Sequence, residues 1–216
     1  MLKGKKMSIL GDSVSTYRGV SNDRNANSTI WGNRCFYDEP MPVNKTYWSL
    51  VMEEFGMELC VNNSWSGGNL SGRDIEPAGV NRAYHLSRDD GTKPDFVIFF
   101  MGLNDLGRGV DLEVFRADYE LTLERIKEQY PSLYVCCINM PDRHISVKKR
   151  TMLFNEIIDG AVKKMNDDKY FVADLFNSPW NNDNYENNTV DLLHPDEYGM
   201  QMIADVVIDA IKKNVK

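Results

Sequence analysis

The stretch SILGDSVST, residues 8–16, decides the fold: an apolar run ends at Gly11, and a bare Asp-Ser-Val-Ser follows where loop filler would be expected. A strand over Lys6–Leu10 that stops at a glycine can turn sharply and place a serine at its carboxyl end. Working outward, four further runs share its character: Glu58–Asn62, Asp95–Met101, Leu133–Asn139 and Tyr170–Leu175. They are continuous rather than alternating, as parallel strands are when helices cover both faces. Helical stripes lie between and after them: Trp48, Val51, Met52 and Phe55, then Leu112 to Ile126, Phe154 to Met165, and Ile203 to Ile211. Strand and helix therefore alternate, and right-handed crossovers fold such an order into a three-layer α/β/α sandwich of about five parallel strands.

In open sheets of this kind ligands bind beyond the carboxyl ends of the strands, near the point where strand order reverses. The segments expected to meet there are Gly11–Thr16, Asn63–Gly72, Gly102–Arg108, Met140–His144 and the loop after Leu175. One connection, at about 15–44, is long and aperiodic, with Tyr17, Trp31, Phe36 and Tyr37 among Gly, Asn and Pro, and reads as a wall or lid over the site. The Asn- and Asp-rich tract 177–188 reads as an exposed loop.

Composition sets limits on function. A chain of 216 residues, 42% hydrophobic and 26% charged, suits one domain spanning 1–216. A net charge of -7 disfavours nucleic acid and anionic membrane, since phosphate binding needs a cationic face. The longest apolar stretch, Phe96–Leu103, is far short of the ~20 residues that span a bilayer. Four cysteines, two of them adjacent in one strand, make no disulfide framework, which points to a reducing cytoplasm. With three histidines and no CxxC, no metal site is expected, and no cofactor is called for.

Four short motifs fall on the predicted edge. Gly11-Asp12-Ser13 offers a hydroxyl and a backbone N–H, although Ser and Asp also serve as plain turn or cap residues. NNSWSGGNLSG carries Gly67, where a backbone N–H could approach a substrate closely, or where the loop is simply flexible. In FFMGLNDLG, Asn104 could donate its amide to a developing oxyanion, or cap a turn with Asp105. In DLLHPDEYG, Asp191 stands three residues from His194, close enough to fix an imidazole tautomer, and Pro195 suits the first turn of the last helix.

Taken together, GDS at Gly11–Ser13, the Ser66-Gly67 block, G-x-N-D at Gly102–Asp105 and D-x-x-H-P at Asp191–Pro195 resemble the SGNH hydrolases, the GDSL-like esterase and lipase family, along the whole chain. The resemblance implies a flavodoxin-like fold and a serine hydrolase. Ser13 would be the nucleophile, His194 its base and Asp191 the residue orienting the imidazole. The backbone N–H groups of Ser13 and Gly67 and the Asn104 amide would form the oxyanion hole. Two departures stand out: Leu192 and Leu193 replace the small residue common in relatives, and Gly68 stands where an acidic residue is common.

Other residues find lesser places. Arg143 and His144 are expected to line the substrate, with His144 a minor contender for the base. Asp12 and Asp105 are expected to brace the nucleophile turn and the asparagine loop, Asp12 also bordering the substrate. His85 reads as exposed in a helical segment, and Asp174 as structural within the fifth strand. Tyr17, Trp31, Tyr37 and Trp65 could stack on a sugar or cover core. The expected substrate is a carboxylic ester of a small molecule or carbohydrate, with a short acyl group such as acetyl. A lysophospholipase or thioesterase is the rival within the class, and a metal-dependent phosphoesterase the rival outside it.

Overall fold

The computed structural model describes residues 2–21, 35–38 and 40–215. Part of the 15–44 connection, including Trp31, lies outside the described residues. The elements run β1 (Lys6–Gly11), α1 (Tyr47–Phe55), β2 (Glu58–Ser64), α2 (Gly79–Arg82), β3 (Phe96–Phe100), α3 (Leu103–Gly107), α4 (Leu112–Gln129), β4 (Tyr134–Ile138), α5 (Lys148–Lys164), β5 (Tyr170–Ala173) and α6 (Glu197–Asn214).

All strand pairs are parallel, in the order β2-β1-β3-β4-β5. This is the flavodoxin-like order, and the chain reverses direction across the sheet at β1 and β3, where a ligand crevice opens. α1 packs with α6 on one face, and α4 packs with α2 and α5 on the other, which completes the three layers. The central strand β3, FVIFF, is buried along its whole length because both faces are covered. Among the described residues no helix is long and apolar enough to cross a membrane, and Cys60, Cys136 and Cys137 are free thiols.

Several local expectations are corrected. The segment after β3 forms the short helix α3, opened by Gly102 at φ +125, where a plain loop was expected. Pro195 precedes the last helix instead of sitting in its first turn: Asp196 is the N-cap, its carboxylate accepting from Gly199 N at 2.9 Å. β5 ends at Ala173, so Asp174 lies just past the strand and accepts from Asn139 and Asn177 side chains. Tract 177–188 is only partly exposed, since Trp180 and Tyr185 are buried and stack at 4.4 Å. His85 is exposed as expected but follows α2 without belonging to a helix.

Candidate active site

Because β2, β1 and β3 are neighbours, the segments that leave their carboxyl ends arrive side by side: Trp65–Gly68, Asp12–Ser15 and Gly102–Asp105. Ser13 opens a single 3-10 turn that leaves β1 at Gly11. A Cβ at Gly11 would lie 2.5 Å from Ser15 Oγ and 2.8 Å from Ser64 Oγ, so only glycine lets the turn close this tightly. The turn is held from several directions. Asn62 Nδ2 and Trp48 Nε1 donate to Ser15 O at 2.8 and 3.1 Å, Ser15 Oγ bonds the Tyr47 hydroxyl at 2.7 Å, and Thr16 Oγ1 donates to Ser13 O at 2.8 Å.

The histidine comes from the opposite end of the chain. His194 Nε2 lies 2.8 Å from Ser13 Oγ, and Nδ1 lies 2.8 Å from Asp191 Oδ2. The other Asp191 oxygen accepts from the backbone N–H of His194 at 2.8 Å, so one carboxylate fixes both the loop and the ring. These bonds hold the Asp191 carboxyl below its ordinary range against the opposing effect of burial. Burial lowers the His194 pKa, opposed by the Asp191 hydrogen bond and charge, so the imidazole is neutral near pH 7.

The ring is clamped by residues 36 and 37. Phe36 stacks on the imidazole with centroids 3.5 Å apart and planes 14° from parallel, and Tyr37 meets it edge-on at 6.4 Å. Phe36 N donates to Thr16 Oγ1 at 2.8 Å, tying this segment to the nucleophile turn. The Tyr37 hydroxyl donates to Pro195 O at 2.8 Å, and Tyr185 donates to Leu193 O at 2.7 Å. The His194 loop is therefore held on both flanks. Between its anchors, Leu192 sits at φ +67 and is 67% exposed, so the bulky residue points away from the core.

The donor side is equally constrained. Asn104 Nδ2 donates to Asp12 Oδ2 at 3.3 Å and to Gly68 O at 3.1 Å, which fixes the plane of its amide. Gly67 adopts φ +74, and Gly68 N is spent on Trp65 O at 2.9 Å. Asp105, expected to brace the asparagine loop, accepts instead from Leu70 N and Ser71 N and so ties the loop after β2 to α3.

Asp12 is placed differently from the expectation that it borders the substrate. It is 1% exposed, and its oxygens accept from Val14 N and Asn104. Burial pushes its carboxyl pKa up to about 7, opposed by the Val14 hydrogen bond and the Arg82 charge. Arg82 is itself buried, its guanidinium donating to Gly11 O, Asn63 O and Pro77 O, and desolvation lowers its pKa to about 10.

The remaining expected residues are dispersed. Tyr17 is a core side chain whose hydroxyl donates to Met41 O, and Tyr37 is core as well, so neither offers an open ring face. Trp65 is buried yet lines a pocket of ≈ 110 Å³ with Gly67, Ile75, Pro77, Ala78 and Arg108. Arg143 is half-buried and its charge is felt at Tyr185, whereas His144 is exposed and bonded to Ser146. Arg82 and Tyr185 had no assigned role in the sequence reading, and Phe36 entered it only as one aromatic of the wall or lid at 15–44. Among the described residues no group of three or more His, Cys, Asp and Glu is arranged to hold a metal ion.

The family model for GDSL-like Lipase/Acylhydrolase matches residues 5–211. The chain belongs to that family. Among solved structures, this GDSL-like protein is similar to a GDSL-like lipase from Bacteroides ovatus, with TM-score 0.72 and 21% identity over 98% of this chain and 99% of that one. It is also similar to a protein from Lactobacillus plantarum, with TM-score 0.75 and 17% identity over the full length of both. A third is a family two carbohydrate esterase from Clostridium thermocellum, at TM-score 0.69 and 16% identity, covering 100% of this chain and 65% of that one. No curated protein matches the chain. At these identities the likenesses speak for the fold, and the family membership supports a hydrolase.

Proposed function

We propose that the protein is a serine hydrolase that cleaves short-chain carboxylic esters of a sugar or similar polyol through an acyl-enzyme intermediate. The observation that carries this reading is the unbroken hydrogen-bonded chain Asp191–His194–Ser13, which joins side chains 181 residues apart. Ser13 Oγ attacks the ester carbonyl as its proton passes to His194 Nε2, and Asp191 stabilises the imidazolium that forms. The tetrahedral oxyanion is held by the N–H groups of Ser13 and Gly67 and by Asn104 Nδ2, which must turn one of its two N–H groups from Asp12 or Gly68 O to reach it. Gly67 is the donor in preference to Gly68, whose N–H is already committed to Trp65 O. The imidazolium then protonates the leaving alcohol, and a water activated by the same histidine releases the acid.

Two features support the substrate class. The pocket beside Gly67, the proposed oxyanion donor, is taken as the acyl site, and ≈ 110 Å³ suits an acetyl or similarly short group. The similar Clostridium thermocellum protein is a carbohydrate esterase, which agrees with a sugar-borne ester. A fluorophosphonate probe is expected to label Ser13, located by mass spectrometry, and to abolish turnover of 4-nitrophenyl acetate. Labelling elsewhere, or activity that survives labelling, overturns the mechanism. Rates that rise from acetyl to octanoyl esters would move the substrate to a lysophospholipid or thioester.

A further inference from the structure

The short helix α3 carries Asn104 near its start and is closed by Arg108, whose N–H donates to Asn104 O at 2.9 Å. Residues one helical turn apart share a face. Both side chains here reach the loop after β2: Asn104 Nδ2 donates to Gly68 O at 3.1 Å, and Arg108 Nη1 donates to Asn69 Oδ1. A Cβ on Gly67 would lie 3.6 Å from Arg108 Nη2. The guanidinium therefore stands beside the proposed oxyanion donor, in the wall of the ≈ 110 Å³ pocket.

The rest of that wall offers it no counter-charge. Trp65, Ile75, Pro77 and Ala78 supply the apolar part, and no carboxylate lines the pocket. Cations elsewhere around the site are answered, Arg73 by Asp118, Lys148 by Asp142 and Arg82 by three backbone carbonyls. Among the described residues Arg108 meets only the neutral Asn69 oxygen. That bond uses Nη1, which steadies the guanidinium and leaves its Nε–Nη2 edge open, the pair of parallel N–H groups that grips a carboxylate. An acyl chain whose carbonyl oxygen rests on Gly67 N–H enters the pocket past this edge. A methyl end leaves the cation unmatched, whereas a carboxylate a few bonds along the chain meets it.

We infer that the protein selects acyl groups ending in a carboxylate, the hemiesters of short dicarboxylic acids such as succinate, and that Arg108 is the selecting residue. The inference rests on the proposed esterase reading and specifies its acyl half. The experiment compares kcat/KM on 4-nitrobenzyl hemisuccinate with that on 4-nitrobenzyl succinamate, an acyl group of the same length without charge. The ratio of the two cancels any general effect of a variant on the catalytic machinery. In the wild type at low salt it should favour the hemisuccinate by about fivefold or more, chiefly through KM. Arg108 is exposed, so the ratio should fall toward unity as NaCl approaches ~1 M. Arg108→Gln should bring the ratio near unity, Arg108→Glu should invert it, and Arg108→Lys should keep part of the preference. A wild-type ratio near unity, a preference that salt does not move, or one that Arg108→Gln leaves intact overturns the inference. The salt titration needs no variant and decides the matter even where Arg108→Gln fails to fold. Turnover of 4-nitrobenzyl acetate with Ser13 labelling, but without the preference, would leave the esterase reading standing; no turnover of any of these esters would remove both.

Discussion

Replacing Asp12 by asparagine should remove a loss of stability that the wild type suffers as pH rises. The Asp12 carboxyl titrates at about 7 when folded, against an ordinary 3.8, because burial penalises its charge more than Val14 N, Arg82 and Asn104 favour it. A raised folded value means that the native state holds its proton longer than the unfolded chain does. Stability from this group is complete below pH 3.8 and is lost as pH rises through about 7. A gap of about three pH units at about 1.36 kcal/mol each is ~4 kcal/mol, of which about 3 kcal/mol falls between pH 4.5 and pH 8.5.

Asp12→Asn removes that dependence while keeping an oxygen for Val14 N. Its new amide faces Asn104 Nδ2, donor against donor, at a cost of ~1–3 kcal/mol that does not vary with pH. The informative quantity is therefore how the difference between variant and wild type changes with pH. Urea unfolding at pH 4.5 and 8.5 should show that difference moving by about 3 kcal/mol in favour of the variant, equivalent to ~6–12 °C in Tm for a chain of this size. A difference that stays constant within about 1 kcal/mol would refute the buried, desolvated carboxylate and with it the account of how Asn104 is held.

Three further outcomes follow from the site. Asn104→Ala should lower kcat ~10²–10³-fold with little change in KM, measured on 4-nitrophenyl acetate, because its amide acts on charge that develops only in the transition state. Asp191→Asn should lower kcat ~10³–10⁴-fold; since the Asp191 hydrogen bond and charge raise the His194 pKa against burial, the acid limb of residual kcat/KM should also move to lower pH. Phe36→Leu keeps the His194 ring buried but removes its stacked partner, and should cost about 3–10-fold in kcat, restored by Phe36→Tyr.

The strands were legible because each is an unbroken apolar run, the one pattern that burial on both faces of a parallel sheet demands. α3 was not, since five residues opened by a glycine at φ +125 complete little more than one helical turn and leave no periodicity to read. The start of α6 was displaced for a different reason. Proline and aspartate both signal a helix N-terminus, and in Pro195-Asp196 the hydrogen bond to Gly199 N makes the aspartate the cap. Composition alone made 177–188 look like a solvated loop, yet two aromatic rings in it, Trp180 and Tyr185, outweigh the surrounding amides by packing on each other.

Polar residues that break an apolar strand end announce themselves, so Ser13 and Asn104 stood out, and Asp191–His194 did so by their spacing ahead of the last helix. Their supports do not. Phe36 lies in an aperiodic stretch, and nothing local marks it as the ring that covers His194. Tyr37 reaches Pro195 across 158 residues, and Arg82 crosses from α2 to the carbonyl of Gly11. These contacts exist only after the sheet order has set β2, β1 and β3 side by side and brought the final loop over them. The same dependence means that the supports tie the site to the core. Phe36 is bonded to Thr16 and Thr16 to Ser13 O, and separately Ser15 is bonded to Tyr47 and Trp48 on α1, so a change in α1 packing is transmitted to the serine through Ser15 in the same turn. A nucleophile held this way has little freedom to wander from its histidine, which is the geometric condition that efficient proton transfer requires.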